Sequence, residues 1–246
     1  MDFYSGFKEF AFKCDAEHAH NLSLSFLKHA PLAAAALVPK VLTDPKLGLR
    51  IGELSWSFPL GVAAGFDKNA SCIRFFEKIG FGALEVGTIT EVAQYGNPKP
   101  RLFRHPEIKS IRNSLGFPSP GAKKVLKNLT QSAPHQICLG ANLGKNKETS
   151  EKNTPEEYAS LYKKFAPHSN YLVINISSPN TPGLRSFQKK DLLLPSLKAV
   201  GIEREANPNP LFLKISPDID AADLKMICEL SKDTSCNGVI ATNTSI

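Results

Sequence analysis

Six short apolar segments, separated by longer amphipathic ones, dominate the chain from residue 60 to residue 242. The candidate strands span residues 60–64, 83–88, 137–142, 171–176, 211–215 and 238–242, and the candidate helices lie near 69–79, 120–131, 154–166, 189–205 and 220–233. Asp218 and Asp220 precede the last helix, and Pro155 opens the third, as is typical of helix starts. Strands that alternate with helices form βαβ units. The order therefore predicts an α/β fold, either a doubly wound parallel sheet or a (β/α)8 barrel of the TIM type.

Polar side chains and glycines follow the end of each candidate strand. They are Gly65 to Lys68, Thr88, Asn142, Asn175 with Ser177 and Ser178, Lys214, and Thr242 with Asn243. A doubly wound sheet concentrates its site at one switch point, whereas a barrel assembles its site from the carboxyl ends of many strands. Contributions from all six strands favour the barrel.

The first 43 residues predict a helical region. Asp15 is a suitable N-cap for one helix, and Pro31 is a suitable first residue for a second that stops at Pro39, so the two form a helical hairpin. Residues 47–58 alternate apolar and polar side chains around Gly52, which predicts a two-stranded β ribbon. We therefore divide the chain into an N-terminal helical region, 1–43, and a barrel region, 44–246.

Composition excludes several classes of protein. The 246 residues include 30 Lys and Arg against 23 Asp and Glu, but the resulting charge of +7 is spread over the whole length, so we expect no nucleic-acid partner. Five cysteines without a CxxC pair are typical of a reducing compartment. His18 and His20 lie two positions apart on a helix and point to different faces, so we expect no metal site.

Two local features suggest chemistry. Residues 175–184 place hydroxyls and amides in a rigid, proline-containing turn after a strand, although an ordinary turn uses the same residue types to satisfy its backbone. Lys214 lies inside an otherwise apolar strand, where an unpaired charge would be costly to bury. Each feature alone is compatible with a structural role.

Six segments, in order, resemble the dihydroorotate dehydrogenase family, in particular its quinone-linked, membrane-associated class. They are GVAAGFDKNA (61–70), GFGALEVGTIT (80–90), GNPKPRLFR (96–104), GANLGKNK (140–147), NISSPNTPGLR (175–185) and GVIATNT (238–244). The resemblance implies oxidation of (S)-dihydroorotate to orotate in de novo pyrimidine (UMP) biosynthesis. A hydride passes from C6 to FMN, a base takes the C5 proton, and a quinone is the final electron acceptor.

The resemblance also implies roles for individual residues. Ser178 matches the catalytic base, with Thr181 and Phe117 around it, and Lys68 matches a lysine that contacts the substrate carboxylate. The implied substrate-binding residues are Lys68, Asn113, Ser114, Leu115, Gly116, Phe117, Asn175, Asn180, Asn243 and Thr244. The implied FMN-binding residues are Ala64, Gly65, Phe66, Asp67, Lys68, Thr88, Asn142, Asn175, Lys214 and Thr242. Amides suit a pyrimidine edge because each offers both a donor and an acceptor.

The sequence departs from the family in two places. Pro118 and Ser119 replace an amide pair that relatives more often carry, so we expect an altered loop over the substrate. A closed barrel needs eight strands, and the family holds the FMN phosphate on turns after strands seven and eight. Since the chain supplies six strand–helix units, we expect a truncated barrel that holds FMN weakly.

The N-terminal region has two interpretations. Phe3, Phe7, Phe10 and Phe26 form an apolar face with basic neighbours, which the resemblance assigns to quinone access and to peripheral attachment at the cytoplasmic face of a bacterial-type membrane. The alternative is burial of that face against the barrel. Two alternatives to the whole assignment are an inactive fragment of the same enzyme and an RNA-modifying flavin reductase on a similar barrel.

Overall fold

The computed structural model describes residues 3–38, 44–177, 189–234 and 236–245. The strands are β1 (Leu49–Ile51), β2 (Leu54–Trp56), β3 (Gly61–Val62), β4 (Ala83–Ile89), β5 (Leu102–His105), β6 (Ser110–Asn113), β7 (Cys138–Leu143), β8 (Tyr171–Asn175), β9 (Leu211–Ile215) and β10 (Gly238–Ala241). The helices are α1 (Phe3–Lys13), α2 (Ala16–His29), α3 (Pro31–Ala36), α4 (Ile73–Ile79), α5 (Ala122–Ser132), α6 (Thr154–Phe165), α7 (Lys190–Ala206) and α8 (Ala221–Asp233).

Six parallel strands form the main sheet in the order β3, β4, β7, β8, β9, β10. This order follows the chain, with helices α4 to α8 between successive strands, and the sheet curls into a partial barrel. The predicted α/β fold of barrel type is thereby confirmed. The register places Lys214 between Asn175 on one side and Ile240 on the other. All six strands end at the same edge, which brings the predicted polar residues together.

The core lies between the sheet and its helices. Strands β4, β7 and β8 are buried along their whole length because helices cover one face and the barrel interior the other. The helix side of this core contains the fully buried residues Tyr158, Leu161, Tyr162 and Phe165 of α6. Burial of one such large side chain contributes about 1.5–3 kcal/mol.

The predicted β ribbon covers the amino ends of the strands. Strands β1 and β2 pair antiparallel, and Leu54 packs into a second apolar cluster with Ala83, Cys138, Tyr171 and Val173. Just before β4, a Cβ at Gly82 would lie 1.9 Å from the Phe58 carbonyl oxygen, so only glycine lets the ribbon approach this closely. The opposite, carboxyl edge of the sheet therefore remains for a site.

Helix caps follow the residues predicted from the sequence. Asp15 accepts a hydrogen bond from the His18 amide at the start of α2, and Asp220 accepts one from the Asp223 amide at the start of α8. Pro31 opens α3. The helical hairpin is confirmed, and α1 precedes it as a third helix. The domain boundary between residues 43 and 44 stays a prediction, since residues 39–43 lie outside the described residues.

The N-terminal helices expose aromatic side chains. Phe7, Phe10 and Phe26 are exposed, Phe10 to 62%, so these three do not adopt the alternative of burial against the barrel. The side chain of Phe3 lies outside what the structure describes. Across the described ranges, helices of the length and apolarity that a bilayer crossing requires are absent.

The hairpin of β5 and β6 was not predicted. These strands pair antiparallel between β4 and α5, with Leu102 opposite Asn113. Arg104 and Arg112 lie within the two strands, so the segment lacks the apolar run that marks the sheet strands. The hairpin adds a wall at the carboxyl edge of the sheet.

Candidate active site

A cavity of about 1070 Å³ lies at the carboxyl edge of the sheet, bounded by α2 and the β5–β6 hairpin. Most of the site residues predicted from the sequence line it. They are Ala64, Gly65, Phe66, Lys68, Thr88, Asn113, Leu115, Gly116, Phe117, Asn175, Lys214, Asn243 and Thr244. The fold therefore brings together residues from positions 64 to 244 of the chain.

Four predicted residues lie beside the cavity and not in its wall: Asp67, Ser114, Asn142 and Thr242. Asp67 is fully buried and accepts hydrogen bonds from the amides of Ser71 and Cys72 at 2.9 and 2.7 Å. This carboxylate thus fixes the turn that carries Lys68. The hydroxyl of Thr242 donates to the Asn243 carbonyl.

Three predicted residues, Ser178, Asn180 and Thr181, lie outside the described residues. The nearest described neighbour is Ser177, which is fully buried. Its amide and its hydroxyl both donate to Oδ1 of Asn175, at 3.1 and 2.7 Å. Ser177 is thus tied to the end of β8.

Polar side chains of five strands form a continuous set of hydrogen bonds that we call the strand-end network. Its members are Glu85, Thr88, Asn142, Asn175, Ser177, Lys214, Asn243 and Thr244. Six of them are buried, and a buried polar group without a partner would be costly. The network satisfies these groups at the place where the strands end.

The inner end of the strand-end network is Glu85, which the sequence reasoning missed. Its Oε1 accepts a hydrogen bond from Nδ2 of Asn142 at 2.7 Å and lies 3.4 Å from Nζ of Lys214. The side chains of Glu85 and Lys214 are each only 7% exposed, so the charge of the buried lysine is paired. A lone Glu in the apolar segment ALEVGTI is the same signal that singled out Lys214.

The outer end of the strand-end network reaches β10. Nδ2 of Asn175 donates to Oδ1 of Asn142 at 3.1 Å and to the hydroxyl of Thr88 at 3.0 Å. Nδ2 of Asn243 donates to the Ser177 hydroxyl at 2.9 Å, and the Thr244 amide donates to Oδ1 of Asn243. Asn175 and Asn243, two of the amides predicted to hold a pyrimidine, are thus linked through the Ser177 hydroxyl.

Lys68 lies at the side of the cavity. Its ammonium donates to the Gly65 carbonyl at 2.8 Å, which directs it across the turn after β3. Burial is the main cause that lowers the pKa of Lys68 below its ordinary value of 10.5. A partly desolvated ammonium of this kind is suited to binding a carboxylate.

Helix α2 is held over the cavity by an ion pair that the sequence reasoning missed. Nε and Nη2 of Arg101 donate to the two carboxylate oxygens of Glu17 at 3.0 and 2.6 Å, a bidentate arrangement. The Arg101 hydrogen bonds are the main cause that lowers the pKa of Glu17. His20 packs edge-on against Phe66, with ring centroids 5.2 Å apart, and burial lowers its pKa.

The loop from residue 113 to 120 is anchored despite its departure from the family pattern. The amide and carbonyl of Ser119 pair with the backbone of Gln94, and Nε2 of Gln94 donates to the Phe117 carbonyl at 2.9 Å. Gly116 has a φ of +65°, and a Cβ there would lie 2.7 Å from Asn97 Cγ. Ser119 therefore anchors the loop, and the expected difference in the loop from that of relatives stays a prediction.

The family model of dihydroorotate dehydrogenase matches residues 46–246. The chain belongs to the dihydroorotate dehydrogenase family. This family of oxidoreductases is the one indicated by the sequence motifs, and its assignment disfavours the RNA-modifying flavin reductase. The β ribbon, the sheet and the strand-end network all lie within the matched residues.

Individual members of the dihydroorotate dehydrogenase family match nearly the whole chain. A dihydroorotate dehydrogenase (quinone) of a Nitratiruptor species is 40% identical over 247 residues, and one of Helicobacter acinonychis is 41% identical over 247 residues. Both matches cover 99% of this chain and 70% of the relative. The matches therefore include the sequence of the N-terminal helices.

Solved structures of dihydroorotate dehydrogenase share the fold. The ligand-free enzyme of Eimeria tenella superposes with a TM-score of 0.85 at 35% identity, covering 94% of this chain and 70% of that chain. Its complex with ferulenol gives a TM-score of 0.84 at 35% identity, covering 94% and 67%. The partial TIM barrel of this chain thus matches the corresponding part of these structures.

Proposed function

We propose that the chain oxidises (S)-dihydroorotate to orotate in pyrimidine biosynthesis, with FMN as hydride acceptor and a membrane quinone as final electron acceptor. The observation that carries the proposal is the cavity at the strand ends, where two lysines and several oriented amides face one space. Sequence identity of 40% to a dihydroorotate dehydrogenase (quinone) supports the proposed oxidation of dihydroorotate.

The residues at the strand ends fit FMN. Gly65 has a φ of +108°, and a Cβ there would meet no atom within 4 Å, so the bare backbone faces open space that a flat ring can approach. Thr88, Asn175 and Lys214 line the same cavity and supply a hydroxyl, an amide and an ammonium for the polar edge of the ring. FMN, when bound, supplies the chemistry that accepts a hydride.

The residues of the chain then have distinct tasks. Lys68 binds the carboxylate of dihydroorotate, and Asn113, Asn175 and Asn243 orient its pyrimidine ring. Lys214 keeps a positive charge at the cavity floor, which stabilises negative charge there. Ser178 takes the C5 proton, and it needs activation by its surroundings because a serine hydroxyl is a poor base.

The test of this proposal is reduction of FMN by the substrate. The purified chain is mixed with FMN under anaerobic conditions, (S)-dihydroorotate is added, and the visible flavin absorbance is followed. We expect the band to bleach, and Ser178→Ala to slow bleaching about 100-fold or more, as for loss of an acid–base group. Ser196→Ala, which removes a buried hydroxyl on α7, is the control. Binding of FMN without bleaching would overturn the proposal and favour the inactive fragment.

The N-terminal helices are proposed as the site of quinone access and of peripheral attachment to the cytoplasmic face of a bacterial-type membrane. Exposed Phe10 and Phe26, with lysines on the same helices, suit an anionic bilayer surface. Phe10→Ser with Phe26→Ser should reduce co-sedimentation with anionic vesicles about tenfold, because both remove apolar area that would enter the bilayer. The control is Ile202→Ser, which removes a 69% exposed apolar side chain from α7. Equal binding by all variants would contradict the assignment.

A further inference from the structure

The hydrogen bonds along the strand-end network donate in one direction. From the Thr244 amide, the donors run through Asn243, Ser177, Asn175 and Asn142 and end at the carboxylate of Glu85. An amide side chain can turn over and exchange donor for acceptor, whereas an ionised carboxylate only accepts. The direction is therefore determined at the Asn142 end by the carboxylate of Glu85, and further along by the backbone amides of Ser177 and Thr244, which only donate.

We infer that Glu85 is a positioning residue that fixes the orientation of Asn142, so that Asn142 presents its Oδ1 as the acceptor for Asn175, and that holds Lys214 in place at the cavity floor. This inference rests on the proposed function, because it gives these three residues their roles towards FMN and the substrate. Glu85 itself lies below the cavity and does not line it. It acts on the site through the side chains that it contacts.

The geometry at Glu85 supports this role. One oxygen, Oε1, meets both the Asn142 amide at 2.7 Å and the Lys214 ammonium at 3.4 Å. Asn142 is fully buried, and its Oδ1 accepts from the Thr88 hydroxyl at 2.6 Å and from Asn175. If Asn142 turned over, its NH₂ group would face these two donors. A carboxylate at position 85 prevents that arrangement because it only accepts hydrogen bonds and would then face Oδ1 of Asn142.

The surroundings of Glu85 supply no competing cation. Among the described residues, the ion pair of Glu85 is with Lys214 alone. Tyr171 lies nearby, and its pKa is raised well above its ordinary value, first by burial and then by the negative charge of Glu85. The carboxylate of Glu85 therefore interacts with Asn142 and Lys214 of the strand-end network, and Lys214 is its counter-ion.

The variant Glu85→Gln tests this inference because it keeps the shape and removes the charge. Glutamine can donate to Asn142 as well as accept from it, so Asn142 is no longer held in one orientation and Asn175 loses its fixed acceptor. In chain labelled with isotopes at asparagine, we expect the side-chain amide resonances of Asn142 and also of Asn175 to move. Asn175 does not contact Glu85, so a role in packing alone would not move it.

The matched control is Glu157→Gln. Glu157 is a second buried carboxylate, on α6, and it accepts a hydrogen bond from the Asn146 amide away from the cavity. This variant should leave the resonances of Asn142 and Asn175 in place. The inference is overturned if Glu85→Gln also leaves Asn175 in place.

Binding of FMN gives a second readout. Glu85→Gln should weaken FMN binding about tenfold, as for loss of one hydrogen bond to a charged group, while Glu157→Gln stays within about twofold of the natural chain. Equal FMN affinity for the two variants would overturn the inference. The resonance readout uses neither FMN nor dihydroorotate, so failure of the proposed reaction and failure of this inference are distinguishable.

A variant that does not fold also gives a decisive result. Loss of the Glu85 charge leaves the Lys214 ammonium buried without its counter-ion, which is costly. If Glu85→Gln is not recovered folded, the double variant with Lys214→Met removes the unpaired charge, and we expect it to fold and to show the same change at Asn175. An Asn175 resonance that stays in place in this folded double variant would overturn the inference.

Discussion

The strand-end network and the N-terminal helices meet at one cavity, but they are built by different means. The network lies on five adjacent strands, and its buried polar groups satisfy each other. None of the residues of α2, all of which the structure describes, is buried, and its link to the barrel includes the pair of Glu17 with Arg101. The site is therefore held by a buried hydrogen-bond network on its sheet side and by local contacts on its helix side.

The two sides of the molecule differ most in how far their phenylalanine side chains are buried. Phe165 on α6 is fully buried, whereas Phe10 on α1 is 62% exposed. Phe165→Ala should lower the free energy of unfolding by about 4 kcal/mol because it leaves a cavity in the core. Phe10→Ala should change the same quantity by less than about 0.5 kcal/mol. Urea unfolding measures both, and equal losses would show that the helices share the core's stability.

Removal of one charge tests the sheet side. Lys214→Met leaves the Glu85 carboxylate buried with only its hydrogen bond from Asn142, so we expect a loss of about 3 kcal/mol in the free energy of unfolding. Lys163→Met is the control, since Lys163 is 70% exposed and its pair with Glu203 should contribute less than about 0.5 kcal/mol. Similar losses from both lysines would contradict the buried pair.

Helix α2 should open locally while the sheet stays folded. Arg101→Ala removes the bidentate contact to Glu17, along with hydrogen bonds from Nη1 to the carbonyls of Tyr95 and Asn97. We expect a local loss of about 2 kcal/mol, seen as faster amide hydrogen exchange in α2 and unchanged exchange in β8. Lys99→Ala, which removes a more exposed partner of Glu17, is the control. Faster exchange in both regions would mean that they unfold together.

A pH titration examines Lys68, where the two regions meet. Its pKa lies below 10.5 because burial disfavours the ammonium, and only the ammonium attracts the orotate carboxylate. Orotate affinity should therefore be full below the lowered pKa and fall as pH rises through it, by about tenfold per pH unit beyond it. Calorimetric titration of orotate measures this, and Lys68→Arg should abolish the fall. An unchanged fall in Lys68→Arg would assign the titration to another group.

Much of the fold was predictable because burial on both faces gives strands a continuous apolar run. Strand β8, with YLVIN at 171–175, is an example, and the caps Asp15 and Asp220 follow from local hydrogen bonding alone. The β5–β6 hairpin was missed because its strands are only partly buried or exposed and include Arg104 and Arg112. Such strands carry no apolar signal, since the hairpin pairs with itself at the edge of the barrel.

The site was predicted residue by residue from motifs, but its connections were not. Asn142 and Asn175 are distant in sequence, and nothing local to either shows that the two side chains are hydrogen-bonded. Glu85 is the single charged residue of β4, and its partner Lys214 is 129 positions away. A buried pair at that separation emerges only from the register of the sheet. The roles of Ser178, Asn180 and Thr181 stay predictions.

A crystal structure of the chain with FMN and orotate bound tests the central claim most directly. We expect the flavin ring to lie against Gly65, with its polar edge within hydrogen-bond distance of Lys214, and the orotate carboxylate to lie at Lys68. We also expect that Asn142 still donates to Glu85. Binding of FMN or orotate at another place, with the cavity at the strand ends left to water, would contradict the account.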